Sequence, residues 1–221
     1  MNVSLKDVLS QNCDPEKRFI EKLEDAVVLI GQAKQGGYTV GIVGGVWDLP
    51  HIGHAKYLRL AKMECDILIV VVDSDELVKS RKGPTRPVVP QEERIQMVCH
   101  LASPDIVILR ELSEHVKDKE YLNKALSPDV CILSTSTGDI PEEQRIVIAK
   151  FVNRIKIFEP QAETSSSARI RLLAIDGATP LAQSVTSLVG QKAEQIAKVL
   201  SELPKEVQML VEGHINKLKE M

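Results

Sequence analysis

The chain has 221 residues, 43% hydrophobic, 27% charged and 3% aromatic, with a formal net charge of -3. That length holds one domain with a full core plus extensions, and the composition excludes a disordered tail, a collagen-like repeat and a disulfide-stapled miniprotein. The acidic balance and the scarcity of aromatic rings argue against a nucleic-acid-binding surface.

The predicted elements alternate. Residues 15–35 read as one helix, because Phe19, Leu23, Ala26, Val27 and Ile30 recur at helical spacing and Gly36-Gly37 follows. Residues 1–37 are therefore expected to be an N-terminal helical extension. A strand is expected at 38–43, a helix at 52–63 and a strand buried on both faces at 67–72, where the run is ILIVVV. Helices follow at 91–101, 118–126, 142–150 and 165–175, with strands at 106–109, 130–133 and 155–158. Strands apolar along their length, alternating with helices, predict an α/β fold. The expected architecture is a Rossmann-like, doubly wound, parallel five-stranded sheet over residues 38–176. Ligands of such sheets bind beyond the carboxyl ends of the strands.

Residues 177–221 read as two helices, 183–203 and 205–219, separated by Pro204. Val207, Leu210, Val211, Ile215 and Leu218 form an apolar stripe that includes His214. The pair either packs back on the sheet domain or forms a subunit interface, and a homodimer is the expectation. Cys13, Cys65, Cys99 and Cys131 form no C-x-x-C pair, which fits a reducing, cytoplasmic setting. No signal peptide is visible, and no apolar run approaches the ~20 residues of a membrane span.

The informative stretch is Gly44-Gly45-Val46-Trp47-Asp48-Leu49-Pro50-His51-Ile52-Gly53-His54, which joins a predicted strand to a predicted helix. Gly45 permits a tight turn. His51 and His54, three apart at a helix start, project to one side, and Gly53 between them presents no side chain. Helix N-terminal N–H groups with two imidazoles make an anion site. Taken alone, the two histidines are also compatible with an ordinary capped helix start or with two zinc ligands, although no third ligand has suitable spacing.

This stretch resembles the HxGH signature of the nucleotidylyltransferase superfamily and the G-x-[FW]-D-x-x-H-x-G-H pattern of its cytidylyltransferase-like branch. Lys82-Gly83-Pro84-Thr85-Arg86-Pro87-Val88-Val89-Pro90 with Arg94 is similar to a segment of the adenylyltransferases of ADP-heptose synthesis. The K-G-P and Gln91-Glu92-Glu93-Arg94 pieces also resemble phosphoethanolamine cytidylyltransferases. Thr164-Ser165-Ser166-Ser167 is similar to the family's S-[ST]-[ST] phosphate motif. The chain departs from both branches. Ser134-Thr135-Ser136-Thr137-Gly138-Asp139 keeps Gly-Asp but lacks the lysine of K-G-G-D, and Gln161 to Ser167 lacks the arginine and glycine of R-T-E-G-I-S-T.

The resemblance implies transfer of a nucleoside monophosphate from ATP or CTP to a phosphorylated small molecule, with release of pyrophosphate. A sugar phosphate with ATP is the leading expectation. CTP with a phospho-alcohol or phosphonate is the alternative, and a nucleotide sensor without turnover is a third. His51, His54 and Lys82 are the implied catalytic residues. Gly44, Gly45, Val46, Trp47, Asp48, Gly53, Arg94, Gly138, Asp139, Thr164, Ser165, Ser166 and Ser167 are implied in nucleotide or phosphate binding. Asp48, Asp73 and Arg86 are candidates for contacting the acceptor. Magnesium is expected to arrive on the triphosphate, with no metal site of the protein's own.

Overall fold

The computed structural model describes residues 4–10, 14–135, 141–162 and 166–211, with the backbone alone at 9, 166, 167, 169 and 171–182. The chain divides into two compact units, Met1–Ser166 and Ser167–Met221.

The first unit is built on five parallel strands: β1 (Val40–Gly45), β2 (Ile67–Asp73), β3 (Ile106–Arg110), β4 (Val130–Ser134) and β5 (Arg154–Phe158). Their order is β3-β2-β1-β4-β5. β2 is buried at every position because both of its faces are covered. Ile67, Ile69 and Val71 point into one core, and Leu68, Val70 and Val72 into the other. The first core is capped by α2 (Leu23–Gln35), through Ala26, Leu29, Ile30 and Ala33. The second is capped by α3 (Ile52–Lys62), through Leu58 and Ala61, and by α5 (Gln91–Cys99), through Ile95, Val98 and Cys99. The expected doubly wound sheet is thus present.

The structure differs from the reading of the sequence in three respects. The helix predicted over 15–35 is broken. A 3-10 turn at Pro15–Arg18 precedes an extended step at Phe19 and Ile20, and α2 begins only at Leu23. The Ile20 N–H donates to the Val107 carbonyl at 2.9 Å, so this step runs beside β3. Phe19 then packs on one core and Ile20 enters the other, an alternation that a helix cannot provide. Arg18 fixes the turn by donating to the Cys99 and Leu101 carbonyls at 2.8 and 2.7 Å.

Second, a short helix, α1 (Leu5–Leu9), precedes that turn, and α4 (Asp75–Lys82) leads into the proline-rich loop. The residues predicted as one helix at 118–126 lie beyond α6 (Leu112–Lys117), in and before α7 (Tyr121–Leu126). The helix after β4 is α8 (Glu142–Ile148).

Third, the second unit starts on α9 (Ser166–Glu202), a single helix of 37 residues that runs on through Gly177 and Pro180, where a break was expected. A proline there removes one backbone donor without ending the hydrogen-bonded spiral. A further helical stretch covers 205–211 after Pro204. Among the described residues, no helix is long and apolar enough to cross a membrane.

Candidate functional site

The sheet order places the site. From β1 the chain steps to β2 and β3 on one side, and later to β4 and β5 on the other, so the winding direction reverses between β1 and β4. The turn leaving the carboxyl end of β1 therefore opens on the crevice where such sheets receive ligands.

That turn is Val46 to His51. Trp47 and Leu49 hold φ values of 56° and 47°, a left-handed conformation that costs a residue with a β-carbon about 1 kcal/mol or more. Burial offsets this. Trp47 is buried in the core below the turn, and its indole N–H donates to the Val71 carbonyl at 2.9 Å. It therefore packs beneath the site and presents a ring edge to His54, centroid to centroid 5.6 Å.

The two histidines cap α3 reciprocally. His51 Nδ1 accepts the Gly53 N–H at 3.1 Å, and His54 Nδ1 accepts the His51 N–H at 3.2 Å. An Nδ1 that accepts from a backbone N–H carries no proton. Each neutral ring therefore holds its proton on Nε2, which becomes a donor. The rings lie 4.2 Å apart. Burial, followed by the neighbouring His51, lowers His54 from 6.5 to about 4, against the opposing pull of Asp48. His54 is thus an uncharged hydrogen-bond donor at neutral pH. Gly53 has a reason beyond ligand access. A β-carbon there would lie 2.8 and 2.9 Å from the His51 ring and 2.7 Å from the Ala162 β-carbon, so the glycine makes room for the imidazole itself.

Asp48 is buried and does not face the pocket as a free acid. Its carboxylate accepts the Val88 and Val89 N–H groups, both at 3.0 Å, and pairs with Arg86 at 2.8 Å. It straps the proline-rich loop to the histidine turn. Arg94, expected to present its charge to the pocket, is fully buried instead. It donates to the Val89 carbonyl at 2.9 Å, to Asp75 at 2.7 Å and to the Val46 carbonyl, so it joins the same two segments from below. The physical reason is that three oxygens from different segments surround the group, and the planar guanidinium presents Nε, Nη1 and Nη2 each to a separate one.

Lys82, the last residue of α4, is different. Its side chain is exposed and makes no hydrogen bond or ion pair among the described residues. Partial desolvation of its ammonium, then Arg86 and Arg81, lower its proton affinity. Its charge also contributes, as the smallest of the causes, to lowering the proton affinity of His54. Asp73 ends β2 with both oxygens paired, to Arg81 and Arg110. Arg110 and His115, which the sequence reading passed over, flank it. The available signal was a charged residue ending each of two apolar strands. Gly138, Asp139, Thr164 and Ser165 lie outside the described residues, as do the side chains of Ser166 and Ser167.

Comparison with known proteins identifies the chain's family. The "Bifunctional protein HldE" of Nitratiruptor sp. is 32% identical over 160 residues, 71% of this chain and 33% of that protein. The protein of the same name from Caulobacter sp. strain K31 is 34% identical over 122 residues, 55% of this chain and 24% of the relative. The chain thus matches about a third of these relatives' length or less. The crystal structure of a lipopolysaccharide core biosynthesis protein from Thermoplasma volcanium GSS1 aligns over 58% of this chain and 100% of its own, with 25% identity and a TM-score of 0.48. A family model described as Cytidylyltransferase-like matches residues 42–172, more than half of the chain and the span from β1 into α9. The chain belongs to the cytidylyltransferase-like family of nucleotidyltransferases.

Proposed function

We propose that the chain transfers the adenylyl group of ATP to a sugar phosphate, a heptose 1-phosphate or a close analogue. The reading is supported by the relatives named HldE and by the Lys82 to Pro90 segment, which resembles the adenylyltransferases of ADP-heptose synthesis. The observation that carries the phosphate chemistry is the reciprocal cap. It commits both Nδ1 atoms to the backbone and puts the proton of each neutral ring on Nε2, where it can serve as a hydrogen-bond donor.

In the reaction, an acceptor phosphate oxygen attacks the α-phosphorus. The bond from that phosphorus to the α,β-bridging oxygen breaks, and pyrophosphate leaves with the bond's electrons. The acceptor is already an anion, so no general base is needed, and catalysis reduces to positioning and charge stabilisation. His51 and His54 donate to oxygens around the α-phosphorus. Lys82 supplies a mobile positive charge. Asp48 and Arg94 hold the turn and the loop so that these donors face one point.

Magnesium fits this site as a companion of the triphosphate. Among the described residues, no group of three or more His, Cys, Asp or Glu is placed to hold a metal, and the carboxylates of Asp48 and Asp73 are committed to cations. When bound, the ion neutralises triphosphate charge.

The test is pyrophosphate release from ATP and from CTP, each with heptose 1-phosphate and with glycerol 3-phosphate. ATP with heptose 1-phosphate is expected to give the highest kcat/KM, and CTP with glycerol 3-phosphate would transfer the chain to the cytidylyl branch. His54→Asn keeps an oxygen where Nδ1 accepts the His51 N–H and deletes the Nε2 donor. It is expected to lower kcat about 100-fold or more while the fold is kept. A variant rate near that of the wild type would remove His54 from the reaction.

A further inference from the structure

The carboxyl edge of the sheet carries a second cluster, on the side of β1 away from the winding reversal. Asp73 and Arg110 end β2 and β3 at paired register positions. Arg110 places Nε on Asp73 Oδ1 at 2.7 Å and Nη2 on the same oxygen at 2.5 Å, while Arg81 Nη1 takes Oδ2 at 3.1 Å. Asp73 is almost completely buried, so both of its oxygens are spent on holding these two side chains. Nη1 of Arg110 has no acceptor among the described residues. The guanidinium lies over Gly44, the next-to-last residue of β1, where a β-carbon would stand 3.4 Å from Nη2 and 3.5 Å from Nη1. These are ordinary van der Waals distances, and they set Arg110 beside the glycine turn.

His115, on α6, adds an independent observation. Its Nδ1 is shut off from solvent and has no hydrogen-bond partner among the described residues. Burial, followed by the Arg110 charge, lowers its proton affinity. Charge balance points the same way. Arg81 and Arg110 both pair with the one carboxylate of Asp73, so this pairing leaves one positive charge uncompensated. A guanidinium edge without an acceptor, beside an excess of cations, fits an oxyanion that can accept two parallel N–H bonds.

We infer that Arg110 is the acceptor-recognising residue, binding an oxyanion of the phosphorylated acceptor through its Nη1 edge while Asp73 holds the guanidinium in place. The inference rests on the nucleotidyl-transfer reading above. If the nucleotide occupies the crevice between β1 and β4, as the fold directs, the acceptor must approach along the remaining edge. The β2–β3 flank is where that edge offers a cation with a free donor.

The test uses the full chain as wild type, Arg110→Gln and Arg110→Lys. With ATP, magnesium and heptose 1-phosphate, Arg110→Gln is expected to raise the acceptor KM about 10- to 100-fold. The ATP KM should stay within about twofold. Arg110→Lys keeps a cation against Asp73 but loses the fork, so its acceptor KM should fall between the two. It also decides the matter should Arg110→Gln not fold. An unchanged acceptor KM in a folded variant, or a fall in kcat alone, overturns the inference.

Calorimetric titration with inorganic phosphate and with heptose 1-phosphate separates this failure from failure of the reaction reading. If the wild type releases no pyrophosphate but binds either probe, and Arg110→Gln does not, the anion site stands while the reaction assignment falls. If the wild type binds neither probe, or the variant binds as well as the wild type, the Arg110 site falls.

Discussion

His54 shows how one backbone bond sets the chemistry of a side chain. Its Nδ1 is fixed as an acceptor by the His51 N–H, and its enclosure beside Trp47 and His51 depresses its pKa from 6.5 to about 4. The ring therefore donates a hydrogen bond without carrying charge, and in the proposed reaction the positive charge comes from Lys82 and from helix N–H groups. The depressed pKa also has a stability consequence. Between pH 6.5 and 4 the unfolded chain holds a proton on this ring that the folded chain does not. The contribution is present in full above pH 6.5 and is lost as pH falls through the folded value. With discount for the ring's partial exposure, it is on the order of 2 kcal/mol. Urea unfolding at pH 7.5 and pH 4.5 should show the wild type losing about that much more stability on acidification than His54→Asn. Equal losses in the two proteins would show that the ring titrates normally in the folded state. The spacing of His51, Gly53 and His54 was enough to place both imidazoles at one helix start. It could not show that Gly53 clears space for the His51 ring, because that contact depends on a rotamer.

At the scale of elements, the site is a turn and a loop joined by buried charge. Asp48 takes two consecutive N–H groups and Arg86 from the loop, and Arg94 ties the Val46 and Val89 carbonyls from the other side. Removing one charge from such a buried group leaves its partners unsatisfied. Asp48→Asn preserves volume but can keep only one good amide acceptor, so it is expected to destabilise the protein by about 2–4 kcal/mol. The amides of Val88 and Val89 should lose protection from hydrogen exchange, and lasting protection at both would mean that the loop is held by other contacts. The sequence reading gave Asp48 and Arg94 to the ligand because their spacing is the same whether they face a pocket or each other's backbone. The elements themselves were legible where the pattern was long, as in β2 and α5. α4 escaped because its buried Leu77 and Val78 are adjacent rather than spaced along a helical face. The step at Phe19 and Ile20 escaped because its partner, Val107, lies far along the chain.

The whole first unit converts these local arrangements into a ligand-dependent object. The parallel sheet was legible from its apolar strands. The β3-β2-β1-β4-β5 order fixes what no periodicity contains: the histidine turn stands at the winding reversal, and Arg110 on the opposite flank. A nucleotide that binds there binds only the folded sheet, so it must raise the unfolding temperature. At about 100 times its dissociation constant a ligand adds about 2.7 kcal/mol, which is several degrees for a chain of about this size. Millimolar ATP with magnesium should give that shift, and CTP a smaller one. A shift with CTP alone would reverse the choice of base, and no shift with either would remove the free-nucleotide site from this face. The same measurement separates the two sides of β1. Arg110→Gln should keep the ATP shift undiminished, because its side chain ends on the β2–β3 flank, whereas Lys82→Gln should lose much of it. If both variants lost the shift equally, the edge would be one undivided anion site and not a nucleotide crevice with a separate acceptor flank.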